Sequence, residues 1–157
     1  MLDVIFRTCL ASETSNVQEL VDDLYRAYPG VDGVEPDIAL TVAEFERHPE
    51  KGRVIVFELN GQPVGYAILV FFWSNEFRGD VIEIDELFID NRNRGRGIGS
   101  WFFAWLESSY PESVALALQV SETNTAAARF YERAGFRASL NRHLFKLLRL
   151  GISEELD

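Results

Sequence analysis

The chain has 157 residues, 47% of them hydrophobic and 13% aromatic, which suits one domain (1–157) with a buried core and excludes a disordered segment. A formal net charge of -10 and a pI near 4.7 argue against a nucleic-acid partner, because neutralising phosphates needs a basic face; cationic substrates fit better. The single cysteine, Cys9, excludes an internal disulfide, and two histidines argue against a His-rich metal site. Without an apolar run of membrane-spanning length or a signal-peptide pattern, the expected partners include no membrane and the expected compartment is the cytoplasm.

Val4 to Leu10 reads as an opening strand. Ser15-Asn16-Val17-Gln18 has the form of a capping box, and apolar residues at 17, 20, 21, 24, 25 and 28 predict a helix ending at Pro29-Gly30. Glu19, Asp22 and Asp23 read as its solvated face, and Tyr25 and Tyr28 as core. A loop from Val31 to Asp37 leads to a second capping-box pattern, Thr41 to Glu44, and a short helix ending before Pro49. Arg53 to Leu59 and Gln62 to Trp73 read as strands joined by Asn60-Gly61, a strong hairpin signal.

After a polar turn, Val81 to Ile89 alternates as a third antiparallel strand. Glu83, Asp85, Leu87 and Ile89 fall on one face, with Ile82, Ile84 and Phe88 on the other, where Glu86 interrupts. Arg94-Gly95-Arg96-Gly97-Ile98-Gly99-Ser100 then opens a helix with apolar residues at 98, 101, 102, 105 and 106, ended by Pro111. Val114 to Val120 reads as a strand parallel to the previous one, since a helix crosses over between them. Thr123-Asn124 caps a last helix carrying Ala127, Phe130, Tyr131 and Ala134 on one face and ending at Gly135. Phe136 to Ala138 and His143 to Leu148 read as closing strands, and Ile152 to Asp157 as a frayed tail.

A strand running through a glycine turn into a helix N-terminus is suited to an anion, because the glycines let the main chain approach it and the first helical turn has free N–H groups. The dinucleotide pattern fails at Ser100, and no Gly-Lys-Ser/Thr follows for a nucleoside triphosphate. Arg92, Arg94 and Arg96 add a local basic cluster suited to phosphates.

Arg94, Gly97 and Gly99 match the Arg/Gln-x-x-Gly-x-Gly/Ala signature of the GNAT superfamily of acyl-CoA-dependent N-acyltransferases. Asn124-x-x-Ala127-x-x-Phe130-Tyr131-Glu132-x-x-Gly135-Phe136 resembles the same family about thirty residues later. The resemblance implies an α/β fold, a mostly antiparallel sheet splayed between two parallel strands and flanked by about four helices. It implies acetyl-CoA as co-substrate, its pyrophosphate held by Arg94, Gly95, Arg96, Gly97, Ile98, Gly99 and Ser100. Leu87 and Ile89, with Phe88 between them, would run beside the pantetheine arm, and Asn124, with Ala127 and Phe130, would line it. Tyr131 would sit by the thioester sulfur.

The chemistry of the residues agrees with this in part. A phenol can act as general acid toward a departing thiolate, and an alkyl ammonium costs about 4.6 kcal/mol to deprotonate at pH 7. Glu83 and Asp85 are the candidate bases, ranked almost equal, and Glu86 is a candidate contact for a cationic substrate. The leading expectation is transfer of acetyl from acetyl-CoA directly to a primary amine of a small cationic molecule, diamine-, polyamine- or amino-acid-like. The alternatives are a peptide or protein N-acetyltransferase, a longer acyl donor, and a catalytically idle acyl-CoA-binding module. Glu35, Asp37 and Phe45 lie where the family shapes its acceptor pocket. The resemblance also allows a homodimer, for which Phe71, Phe72, Trp73, Trp101 and Trp105 could supply contacts, although core packing accounts for them equally.

Overall fold

The structure is a computed structural model and describes residues 2–151. In chain order the described residues form β1 (Val4–Thr8), α1 (Thr14–Ala27), α2 (Ile38–Arg47), β2 (Gly52–Leu59), β3 (Gln62–Ser74), β4 (Gly79–Ile89), α3 (Ile98–Ser109), β5 (Ala115–Leu118) and α4 (Thr125–Arg133). The strands lie in one sheet in that order, antiparallel from β1 to β4, with β5 parallel to β4. Asn60 (φ 52) and Gly61 (φ 77) both take the left-handed conformation that a two-residue hairpin requires, so the β2–β3 turn forms where expected.

The apolar run of β2 is continuous because both its faces are covered. Ile55 and Phe57 pack with Leu69, Ile82, Phe102 and Leu106 on the α3 side; Val54 and Val56 pack with Val17, Val21, Val42 and Tyr66 on the α1/α2 side. Phe71 and Trp105 join the α3-side core, while Phe72, Trp73 and Trp101 stay exposed.

Two helix starts differ from the sequence reading. Thr14 already begins α1, so Ser15 is inside the helix; ahead of it the Glu13 carboxylate accepts from the Leu10 N–H at 2.9 Å and pairs with Arg7. Asp37 caps α2, accepting from the N–H groups of Ala39 and Leu40, and Thr41 lies within the first turns. At α2 a carboxylate upstream takes the role expected of a hydroxyl, whereas α1 starts with no side-chain cap.

The closing strands do not form: neither Phe136 to Ala138 nor His143 to Leu148 enters the ladder. Phe136 instead packs its ring against Phe103 and Tyr131. In the second segment one parity carries His143 and the other Lys146, so neither face is an uninterrupted apolar set. Leu144, Phe145 and Leu148 are exposed there. The Ile152 to Asp157 tail lies outside the described residues.

The largest departure is within β4. Ile68 pairs with Glu86 but Leu69 pairs with Ile84, so Asp85 is an extra residue, a bulge, and the strand's alternation changes parity there. Ile82, Ile84, Leu87 and Ile89 therefore share the α3 side, whereas Phe88 packs with Tyr66 on the α1/α2 side and Glu86 meets Tyr66 there. Leu87 and Ile89 do not share a face with Glu83, and the acid at Glu86 interrupts no apolar face.

Candidate active site

β4 and β5 pair only from Val81↔Ala115 to Ile84↔Leu118; beyond that, β4 continues to Ile89 with its β5-side edge open. The carboxylates of Glu83, Asp85 and Glu86 gather at this opening. Tyr66, fully buried on β3, donates its hydroxyl to Glu86 Oε1 at 2.8 Å, and Tyr25 of α1 brings its hydroxyl toward the same group. Burial pushes the Glu86 carboxyl above the usual carboxylate range and the Asp85 charge adds to this, while the two phenols act the other way. Asp85 is also raised, first by desolvation and then by the charge on Glu83. These are protonation-sensitive groups poised closer to neutrality than ordinary acids, which makes them stronger bases.

At the C-terminal end of β4, Asp90 accepts from the Arg92 N–H at 3.0 Å and closes a short 3₁₀ turn. Arg94 Nε donates to the Ile89 carbonyl at 2.8 Å, and its guanidinium lies 5.1 Å from the centre of the Phe88 ring. Arg94 thus anchors the glycine turn to the strand and engages one of the carbonyls expected to meet a pantetheine arm. Gly95 (φ 71) and Gly97 (φ 85) take left-handed conformations, and Gly97 opens α3 with no side-chain cap. The first-turn N–H groups of Ile98, Gly99 and Ser100 are left for a ligand or solvent. Gly99 has a second role, since a Cβ there would stand 2.8 Å from Phe130 Cζ; its small size lets α4 approach α3. Arg96 donates to Asn93 Oδ1 at 2.7 Å, and Arg92 is almost fully exposed.

α4 begins at Asn124, whose Oδ1 accepts from the Ala127 N–H at 3.2 Å; its amide N–H groups remain as donors. Phe130 and Tyr131 on this helix join the rings of Phe103 and Phe136. Desolvation raises the Tyr131 phenol, so it stays protonated across the neutral range. Tyr131 belongs to the α3-side cluster, whereas Glu86 and Glu83 face the α1/α2 side. Tyr131 and the carboxylates of Glu83 and Glu86 therefore lie on opposite faces of the sheet.

The model of the acetyltransferase (GNAT) family matches residues 17–136, which span this whole arrangement. The chain belongs to the GNAT family. A 38% identical stretch of 84 residues, 52% of the chain, is shared with an uncharacterized N-acetyltransferase of Methanocaldococcus jannaschii, of whose length the match covers 37%. The fold resembles that of a possible acetyltransferase from Clostridium difficile 630, with a TM-score of 0.76 at 18% identity over 95% of this chain and 100% of that one. It also resembles an acetyltransferase of Trypanosoma brucei, with a TM-score of 0.68 at 25% identity over 92% of this chain and 100% of that one.

Within this GNAT domain the structure sorts the remaining candidates. Glu35 lines a cleft between α1 and the following loop, together with Asp22, Tyr25 and Asp32. Asp37 is occupied as a helix cap, and Phe45 packs against Gly52, where a Cβ would stand 2.6 Å from its ring. Cys9 is buried in the α1/α2 core with its thiol pushed up to about 12 by desolvation, so it is no nucleophile at neutral pH. Tyr25, read from the sequence as core, and Tyr66, read only as part of a strand, both meet Glu86. Only the pairing register puts Tyr66 beside that carboxylate, and a register cannot be read from one strand alone.

Proposed function

We propose that the chain transfers an acetyl group from acetyl-CoA directly to a primary amine of a small cationic substrate. The observation that carries this reading is a set of carboxylates without countercharge. Among the described residues, every ion pair lies elsewhere: Arg7 with Glu13 and Glu58, Arg26 with Asp23, Arg47 and Lys51 with Glu44, His48 with Glu50, and Arg92 with Asp90. Desolvated carboxylates at Asp85 and Glu86 are stabilised by an arriving ammonium, so the site favours a cation.

The residues on the other side fit an acyl-CoA. An uncapped helix N-terminus behind left-handed glycines suits a pyrophosphate, the open β4 edge and the Asn124 amide suit an arm bearing peptide groups, and Tyr131 supplies a protonated phenol on the α3 side. When bound, acetyl-CoA supplies an acetyl group activated as a thioester. Asp85 or Glu83, directly or through water, takes the ammonium proton so that the nitrogen lone pair is free. Raising a carboxyl narrows its gap to an amine, which lowers the cost of that transfer. Tyr131 holds a proton ready for the departing sulfur. The buried, inert thiol of Cys9 supports direct transfer over a cysteine-linked route.

CoA thiol release at mildly alkaline pH, measured across small amines, diamines, polyamines and short peptides, tests the proposal. Release with diamines or polyamines and not with peptides is expected. Release with peptides alone would overturn the small-molecule reading, and no release from protein that binds acetyl-CoA would favour the idle binding module.

A further inference from the structure

Just past the last β4–β5 pair, one side chain reaches back across the gap. Gln119 directly follows β5 and stands two residues beyond Ala117, the ladder partner of Glu83, so it shares the Glu83 face. Its Nε2 donates to Glu83 Oε1 at 3.3 Å and lies 3.1 Å from Nδ1 of His143, on the C-terminal segment.

A primary amide has two N–H groups on one nitrogen and none on its oxygen. The carboxylate can only accept, so Nε2 must face Glu83; its second N–H then points at His143, whose Nδ1 accepts while the imidazole proton sits on Nε2. With the amide reversed, Oε1 would face a carboxylate oxygen. The arrangement thus has one self-consistent set of donors and acceptors.

We propose that Gln119 is a positioning residue for Glu83, and that His143 fixes the Gln119 amide in the orientation this requires. The inference rests on Glu83 belonging to the proton relay proposed above. A glutamate on an open strand face has several rotamers, and the neighbouring charge on Asp85 repels it; the Gln119 amide across the gap holds it in one of them, at the opening. The same contact ties the C-terminal segment, which no ladder holds, to the acceptor side of the sheet.

Two readouts test this, one of them independent of turnover. In ¹H–¹⁵N spectra, the Gln119 side-chain amide resonances should move in both Glu83→Gln and His143→Ala; resonances indifferent to both changes would overturn the contact. In steady-state kinetics with the best amine of the panel, Gln119→Ala should lower kcat about tenfold without changing the acetyl-CoA KM. It should cause no further loss in the Glu83→Gln background. His143→Ala should fall between, and His143→Asn, whose Oδ1 can take the acceptor position of Nδ1, should recover most of the rate. Wild-type kcat in Gln119→Ala, or losses that multiply with those of Glu83→Gln, would overturn the positioning role. Full turnover in Glu83→Gln, with a responsive amide, would remove Glu83 from the relay and the positioning role with it, leaving acetyl transfer itself standing.

Discussion

Replacing Gly99 by alanine should destabilise the chain and disturb Tyr131 while leaving the glycine turn intact. The new Cβ would stand 2.8 Å from Phe130 Cζ and 3.2 Å from Cε1, so the ring must give way by several tenths of an ångström. It has little room to do so, because its centre lies 5.8 Å from that of Phe103 and 5.5 Å from that of Tyr131. Overpacking of this kind costs about 1–3 kcal/mol, and the better helix propensity of alanine offsets at most about 1 kcal/mol, leaving a net loss on the order of 1 kcal/mol. For a chain of this size that lowers Tm by about 2–4 °C. Thermal unfolding of Gly99→Ala, Phe130→Leu and the double variant measures the coupling: leucine makes room, so the double variant should be more stable than the two single losses predict. In kinetics, Gly99→Ala should act on kcat, through Tyr131. Gly97→Ala differs because its Cβ meets nothing nearer than 3.8 Å, but its φ of 85 costs alanine about 1–2 kcal/mol. That change should act on the acetyl-CoA KM, with Gly97→Asn closer to wild type. A Gly99→Ala protein as stable as wild type, or a double variant with merely additive losses, would refute the packing argument.

Tyr131→Phe should lower kcat about a hundredfold with little change in acetyl-CoA KM, checked by steady-state kinetics. The double variant Glu83→Gln, Asp85→Asn should move the pH–rate profile upward; an unchanged profile would remove both from the base role. Glu86 has its carboxyl raised in the folded chain, so its contribution to stability is full below the ordinary carboxylate range and is lost as pH rises through the raised value. Glu86→Gln should therefore raise Tm at pH 7, by an amount that shrinks toward pH 4. Glu86→Leu should instead lower it, because the fully buried Tyr66 hydroxyl loses its acceptor at a cost of about 1–3 kcal/mol. Thermal melts across that pH range separate the two.

The sheet and its helices were legible because their signals are local. Asn60-Gly61 names a hairpin, the apolar spacing after Gly97 names a helix, and the crossover dictates that β5 runs parallel to β4. The bulge was not legible, because one extra residue leaves the alternation readable on either side of it, and its only trace was an acid, Glu86, at an apparently apolar position. That hidden change of parity makes simple alternation put Leu87 and Ile89 on the face of Glu83. The glycine turn and the helix start behind it could be located from the sequence, but not the packing of Gly99 against Phe130 or the bond from Arg94 to the Ile89 carbonyl. Gln119 lay inside a predicted strand as one polar residue among apolar ones, and only the ladder shows which carboxylate it reaches. The closing strands do not form because a run such as His143 to Leu148 is apolar in composition without being apolar on either face.

A turn with glycines at 95, 97 and 99 would ordinarily be the costliest part of such a site to immobilise, since glycine has the most backbone freedom to lose. Here Arg94 grips the Ile89 carbonyl and the Phe88 ring, Asp90 holds the Arg92 amide, and the Asp90 N–H is itself bonded to the Val64 carbonyl at 2.8 Å. The approach to the glycines is thereby tied to the strand by the protein's own contacts. For the pyrophosphate site proposed above, this means that part of the entropic penalty of binding is met during folding, so affinity there would depend on preorganisation as well as on the number of contacts formed.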